Sequence, residues 1–141
     1  MSQFNKDTIP QVAVGFMNDD HHAAVDLMNE LISLTKDRES EKVTDAFNAL
    51  IQHNIEHFSR EEVEMIRCGF PPYDCHKGEH KRVIMEMQQE LEHWNNTGDV
   101  EHLYHYLSNT MVSWFHNHIN TMDTVTASFI KRFHGKELDT H

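Results

Sequence analysis

Apolar residues recur at spacings of three and four residues in four long segments of this chain. This period is typical of amphipathic α-helices that pack one face against a shared core. The predicted inward faces of the first two helices are Met17, His21, Ala24, Met28 and Leu31 (with Val25, Leu27 and Ile32 beside them), then Val43, Phe47, Leu50, Asn54, His57, Glu61 and Met65. Those of the last two are Tyr73, His76, His80, Val83, Met87, Leu91 and Trp94, then Val100, Leu103, Leu107, Met111, Trp114, His118, Met122, Val125 and Phe129.

Capping residues and glycines predict where these helices begin and end. Residues 1–17 show no period and are expected to form an N-terminal arm, whose Val12, Val14 and Phe16 could cover one end of the helices. The expected helices run from an Asn18 or Asp19 cap, from Ser40 to Gly69, from Tyr73 or Asp74 to Asn96, and from an Asp99 cap to His134 with Gly135 as the stop.

The sequence therefore predicts an all-α protein, an antiparallel up-down-up-down four-helix bundle with an N-terminal arm. We expect a single domain over residues 1–141, divided into the arm at 1–17 and the helical bundle at 18–134. A chain of 141 residues is long enough to bury a sizeable core. Its few glycines (5) and prolines (3) also favour long helices over a β architecture with many turns.

Charge and composition exclude several partners. A formal net charge of −11 argues against nucleic acid and anionic membranes, which both require a basic surface. No apolar run approaches the roughly 20 residues that span a bilayer, and residues 1–10 lack the apolar core of a signal peptide. We expect a cytoplasmic protein. Cys68 and Cys75 flank the Gly69-Phe70-Pro71-Pro72 break, where a disulfide is geometrically possible, but free thiols are expected in a reducing cytosol.

Polar residues interrupt the inward faces of all four helices. Burying such groups without partners would cost several kcal/mol, and an unpaired carboxylate more. Residues four apart share a helix face, and helix direction alternates in the bundle. The interrupting side chains should therefore meet at one end of it. They are His21, His57, Glu61, His76, His80 and His118, with Asp123 close by and Asn54 as a separate hydrogen-bonding core residue.

Asp123 fits this cluster only if the fourth helix is irregular. It follows His118 by five residues, which in an ideal α-helix places it about 140° around the axis. A π-bulge, a break in the helix or a long reach of the side chain would bring both residues to one site.

The seven donors together predict a metal centre, although each alone could be an ordinary core or surface residue. Five imidazoles and two carboxylates are too many ligands for one tetrahedral zinc. They suit two octahedral ions that share carboxylate bridges. Imidazole binds iron, zinc, copper and nickel alike, but the donor count and the shared carboxylates favour a pair of iron ions.

These residues, in their order and spacing, resemble the ligand set of the hemerythrin family over roughly residues 14–125. The resemblance implies two iron ions with an oxo or hydroxo bridge, and dioxygen bound end-on at an open position. It also implies that His76, His80 and His118 bind one iron and that His21 and His57 bind the other. Glu61 and Asp123 would bind both.

The resemblance further implies an apolar oxygen pocket lined by Phe58, Phe115 and Ile119. A dry pocket slows proton entry and loss of the bound oxygen. Phe115 departs from the leucine that is common at that place in the family, which changes the expected pocket volume. The sequence Asp19-Asp20-His21 departs from the usual Asp-x-Gln-His, and the arm before it is shorter.

The expected function is reversible oxygen binding for storage, delivery (oxygen transport) or sensing, without enzymatic activity. A site with few anionic donors stabilises high-valent iron poorly, so oxygen is more easily held and released than cleaved. Two alternatives remain open. One is a diiron oxidase, peroxidase or ferroxidase using the same ligands. The other is an oxygen- or iron-responsive signalling module that acts through a separate protein partner.

Overall fold

The computed structural model describes Lys6 and residues 11–139, with the side chains of Lys6 and 11–133. Three α-helices come first: α1 (Gly15–Lys36), α2 (Ser40–Arg67) and α3 (Tyr73–Thr97). The fourth helix of the bundle is continuous but contains two π-helical segments. Its parts are α4 (Val100–His105), a first π segment (Tyr106–Met111), α5 (Val112–His118), a second π segment (Ile119–Asp123) and α6 (Thr124–Asp139).

The helices form the predicted antiparallel four-helix bundle. α1 packs against α2 and α4, α2 packs against α3 and α6, and α3 packs against α4. All seven predicted inward positions of α2 are buried, as are Met17, His21, Ala24, Met28 and Leu31 of α1. Leu27, Tyr73 and Leu91 are only partly buried. The 3- and 4-residue spacing was therefore a sound guide to the core of the first three helices.

The start of α1 differs from the prediction. Neither Asn18 nor Asp19 is the N-cap, because α1 begins at Gly15 and Val14 precedes it in an extended conformation. The Asn18 side chain bonds backwards instead. Its Oδ1 accepts from the Val12 backbone N–H at 2.8 Å, and its Nδ2 donates to the Val12 carbonyl at 2.9 Å. These two hydrogen bonds hold Val12 in the core at the end of the bundle.

The other predicted boundaries agree more closely. Gly69 and Gly98 follow α2 and α3 with left-handed φ values of 66° and 62°, which glycine adopts without a steric penalty. Asp99 caps α4, since its carboxylate accepts from the His102 N–H at 3.1 Å. The last helix runs past His134 and Gly135 to Asp139, so the predicted stop was wrong. A helical glycine costs only about 1 kcal/mol.

The second π segment changes which residues of the fourth helix face inward. After His118 the sequence pattern predicted Met122, Val125 and Phe129. The buried residues are Asp123, Thr126, Ala127 and Ile130, one position later, and Val125 is 54% exposed. The cause is one wide turn: the Thr124 N–H bonds to the Ile119 carbonyl five residues back, and the Thr124 hydroxyl donates to the same carbonyl at 2.7 Å. This is the irregularity that the His118–Asp123 spacing required.

Two further features bear on the predictions. Cys68 and Cys75 are both free thiols, the first partly buried and the second exposed. Within residues 11–139, no helix is both long enough and apolar enough to cross a bilayer.

Candidate metal centre

The structure brings all seven predicted donors together at one level of the bundle. They form two groups in which the potential ligand atoms lie within 4.8 Å of one another. All seven side chains are at most 5% exposed. The first group is Glu61, His76, His80, His118 and Asp123, and the second is His21, His57, Glu61 and Asp123.

Both carboxylates belong to both groups, and each directs a different oxygen to each. Asp123 Oδ1 lies 3.1 Å from the Nε2 atoms of His76 and His118, while its Oδ2 lies 3.0 Å from His21 Nε2. Glu61 also directs one oxygen to each group of histidines. Its Oε1 is 3.2 Å from His80 Nε2, and its Oε2 is 2.8 Å from His57 Nε2. This is the arrangement that two cations sharing two carboxylates would need.

Several of these atoms have no hydrogen-bond partner. His57 Nε2, His80 Nε2 and both carboxylate oxygens of Glu61 are buried and lack a hydrogen bond of acceptable geometry, despite their short separations. Buried polar atoms are nearly always paired, because leaving one unsatisfied is costly. Lone pairs that converge without bonding to one another are satisfied by a cation between them. The donor set therefore fits metal ions.

Second hydrogen bonds orient three of the histidines. His57 Nδ1 donates to Asp20 Oδ2 at 2.9 Å, and His80 Nδ1 donates to Glu62 Oε2 at 3.0 Å. His76 Nδ1 bonds to the Thr126 hydroxyl at 2.8 Å. In each ring this leaves Nε2 directed at the centre, as is usual for metal-binding histidines.

The sequence analysis did not predict these outer partners, the residues that hydrogen-bond to the Nδ1 atoms of the histidines. Asp20 and Glu62 lie beside the inward faces rather than on them, and Thr126 lies on the face that the second π segment turns inward. The one sequence signal was an acid directly adjacent to a predicted ligand, since Asp20 precedes His21 and Glu62 follows Glu61. Asn54 has a separate role, because it is buried with its amide 3.6 Å from Met87 Sδ.

Aromatic side chains surround the donors. Phe58 stacks on His80 with ring centroids 3.9 Å apart, and Phe115 meets His21 edge-on at 5.8 Å. Trp114 stacks on His118 at 4.6 Å and donates its indole N–H to Glu79 at 2.7 Å. Phe58, Phe115 and Ile119, the residues expected to line an oxygen pocket, are all buried.

Electrostatics hold the cluster together in the metal-free protein. Burial and the charge of Asp123 oppose ionisation of Glu61, but the charge of His57 prevails and lowers the pKa of Glu61 to about 2. Burial likewise opposes protonation of His57, yet Glu61 and Asp20 raise its pKa to about 10. Despite burial, His118, His21 and His76 hold the pKa of Asp123 well below its ordinary value. Internal ion pairs thus replace the cations.

A buried centre of histidines and carboxylates between four antiparallel helices defines a metal-binding helical-bundle protein. The family model described as "Hemerythrin HHE cation binding domain" matches residues 12–130. This chain therefore belongs to the hemerythrin family, a family of diiron oxygen-binding proteins.

Curated relatives and solved structures agree with this assignment. Bacteriohemerythrins of Aquifex aeolicus (strain VF5) and Ralstonia nicotianae (strain ATCC BAA-1114 / GMI1000) are 26% and 29% identical over 112 residues, which cover 79% of this chain and 86% and 78% of theirs. A crystal structure of hemerythrin with a leucine replaced by tyrosine, and a crystal structure of a mutant with a leucine replaced by phenylalanine, both have TM-scores of 0.77. They are 21% and 22% identical, and the match covers 92% of this chain and 98% of theirs. At that identity they show the fold alone.

Proposed function

We propose that this chain binds two iron ions, joined by an oxo or hydroxo group, and that the pair binds dioxygen reversibly. Glu61 and Asp123 would bridge the ions, with His76, His80 and His118 on one and His21 and His57 on the other. The observation that carries the proposal is that each carboxylate offers one oxygen to each group of histidines. In this proposal residues 1–141 act as one hemerythrin-like domain.

When bound, the iron pair would supply the electrons that dioxygen accepts. The residues of the chain would control access and retention. Two histidines on one side leave more room for a ligand than three, so we assign oxygen to the side of His21 and His57. Phe115, which meets His21 edge-on, would keep water and protons away from that side. Phe58 and Ile119 would complete the apolar wall.

The charge of the site supports binding rather than turnover. Its two carboxylates are outnumbered by five neutral imidazoles, and such a donor set favours high-valent iron less than a carboxylate-rich one. We therefore infer a non-enzymatic role in oxygen storage, delivery or sensing. A cytoplasmic location stays a prediction.

A reversible colour change would test this proposal. Iron-loaded protein, reduced without oxygen and then exposed to air, should develop a visible absorption band that bleaches when oxygen is removed. Iron analysis should give two ions per chain, and zinc-loaded protein should stay colourless. A band that does not reverse would contradict oxygen carriage. Sustained consumption of oxygen, peroxide or ferrous iron would indicate an oxidase, peroxidase or ferroxidase instead.

A further inference from the structure

One oxygen of Asp20 joins α1 to the two-histidine side of the centre. Asp20 Oδ2 accepts from His57 Nδ1 at 2.9 Å, and from Arg60 Nε and Nη2 at 3.1 and 2.5 Å. The backbone carbonyl of Asp20 accepts from His53 Nε2 at 3.0 Å. Three side chains of α2 thus hold a single residue of α1 in place.

This geometry fixes how His57 can act as a ligand. A carboxylate can only accept, so the hydrogen of the neutral ring resides on Nδ1 and the lone pair on Nε2. Nε2 is the atom that lies 2.8 Å from Glu61 without a hydrogen bond. An anionic acceptor on Nδ1 also draws the proton away from the ring and makes Nε2 a stronger electron donor.

Arg60 acts on the same oxygen in the opposite sense. Its guanidinium donates two hydrogen bonds to Asp20 Oδ2, and so reduces the negative charge that His57 meets. The Arg60 side chain is 50% exposed, whereas that of Asp20 is only 17% exposed. The pair therefore links a nearly buried acceptor to a cation at the surface.

We propose that Asp20 is a positioning residue that orients His57 and increases its electron donation to the metal, and that Arg60 limits this effect. The inference rests on the proposed function for its redox consequence, because a stronger donor stabilises the oxidised ion. The pair would then set how readily the centre loses its electrons. Its effect on metal affinity does not depend on oxygen chemistry.

Two variants with opposite expected effects test this proposal. Asp20→Asn keeps an oxygen that can accept from His57 but removes the charge. It should weaken zinc binding by the metal-free protein about 10- to 100-fold and raise the midpoint potential of the iron-loaded protein. Arg60→Gln leaves the charge of Asp20 unshielded, so it should lower the potential and not weaken zinc binding.

The matched control is Glu90→Gln. Glu90 also pairs with a histidine, His102, at 2.8 Å. It lies ten residues beyond His80 on α3, which is about 15 Å along the helix axis. This variant should match the parent protein in zinc affinity, measured against a chromophoric chelator, and in potential, measured by redox titration.

The outcomes distinguish failure of the inference about Asp20 and Arg60 from failure of the proposed iron centre. Potentials that move in the same direction in both variants would indicate general damage to the site and would overturn the inference, as would unchanged zinc affinity and potential in both. If only Asp20→Asn has an effect, the role of Arg60 is overturned. If Asp20→Asn fails to fold by circular dichroism, the sign of the Arg60→Gln shift decides. If the parent protein holds no iron pair, the proposed function fails, while the zinc affinities still test Asp20.

Discussion

Replacement of Glu61 by alanine should reduce the iron content of the protein from two ions per chain to fewer than one. Both oxygens of Glu61 are buried and directed at different groups of histidines, so its loss affects both sides of the centre. His21→Ala should be milder. It leaves the five-residue group around His76, His80 and His118 complete, and that group should keep about one ion. Metal analysis of protein reconstituted under identical conditions measures the difference.

Glu61→Ala should also destabilise the metal-free protein. Without Glu61, the raised pKa of His57 loses its main electrostatic cause, and the buried charge of His57 keeps only Asp20 as a hydrogen-bonded partner. Removing one partner of a buried ion pair typically costs about 3–5 kcal/mol. Urea denaturation in the presence of a chelator would measure this cost. Glu56→Ala, which replaces an exposed acid five residues earlier on α2, is the control and should change neither stability nor iron content. Full iron binding by Glu61→Ala would contradict the proposed centre.

Six of the seven clustered side chains were predictable from the sequence because a polar residue on an apolar helix face is a strong and local signal. His57 and Glu61 interrupt the inward face of α2 with regular α-helical spacing, and burial of both followed directly. Asp123 was included because it lies close to His118 and because the resemblance to the hemerythrin family implies it as a shared carboxylate. Its spacing from His118 conflicted with a regular helix, and the π segment resolves that conflict.

Features that depend on neighbouring elements were not predictable in the same way. A π turn moves every later residue by one position, so Met122 and Val125 were placed inward while Asp123 and Thr126 are buried. The first π segment, Tyr106–Met111, gave no comparable signal. Leu103, Leu107 and Met111 are four apart, a spacing that an α-helix and a wider turn both tolerate.

The outer partners show the same limit. Whether Asp20 faces solvent or His57 depends on how α1 and α2 are rotated against each other, and periodicity does not determine this. Asn18 failed as a predicted cap for a related reason: its side chain found partners in the segment before the helix. In both cases the partners lie outside the residue's own helix, where helical periodicity carries no information.

The stability of the metal-free protein should be greatest between about pH 4.5 and 6.5 and should fall on both sides. The pKa of Glu61 is lowered from an ordinary 4.5 to about 2, so its contribution is present above pH 4.5 and is lost as the pH falls through 2. The pKa of His57 is raised from 6.5 to about 10. Its contribution is complete below pH 6.5 and is lost as the pH rises through 10.

Metal-loaded protein should show the opposite trend on the alkaline side. Metal ions compete with protons for the histidine nitrogens, so metal affinity rises with pH. A ligand that binds the folded state stabilises it more as its affinity increases. The difference in melting temperature between zinc-loaded and chelator-treated protein should therefore widen steadily from pH 6 to pH 9 in the experiment.

Comparing the metal-free parent protein with metal-free Glu61→Gln would test whether the buried ion pairs cause the loss of stability at alkaline pH. The neutral amide no longer attracts a protonated His57, so the alkaline loss of stability in the metal-free variant should be shallower than in the parent. Thermal denaturation followed by circular dichroism at fixed ionic strength would compare the slopes. Equal slopes would place the loss at groups outside the centre. A metal-free parent that gains stability above pH 7 would show that His57 is neutral in the folded protein, and that the cluster is held by other contacts.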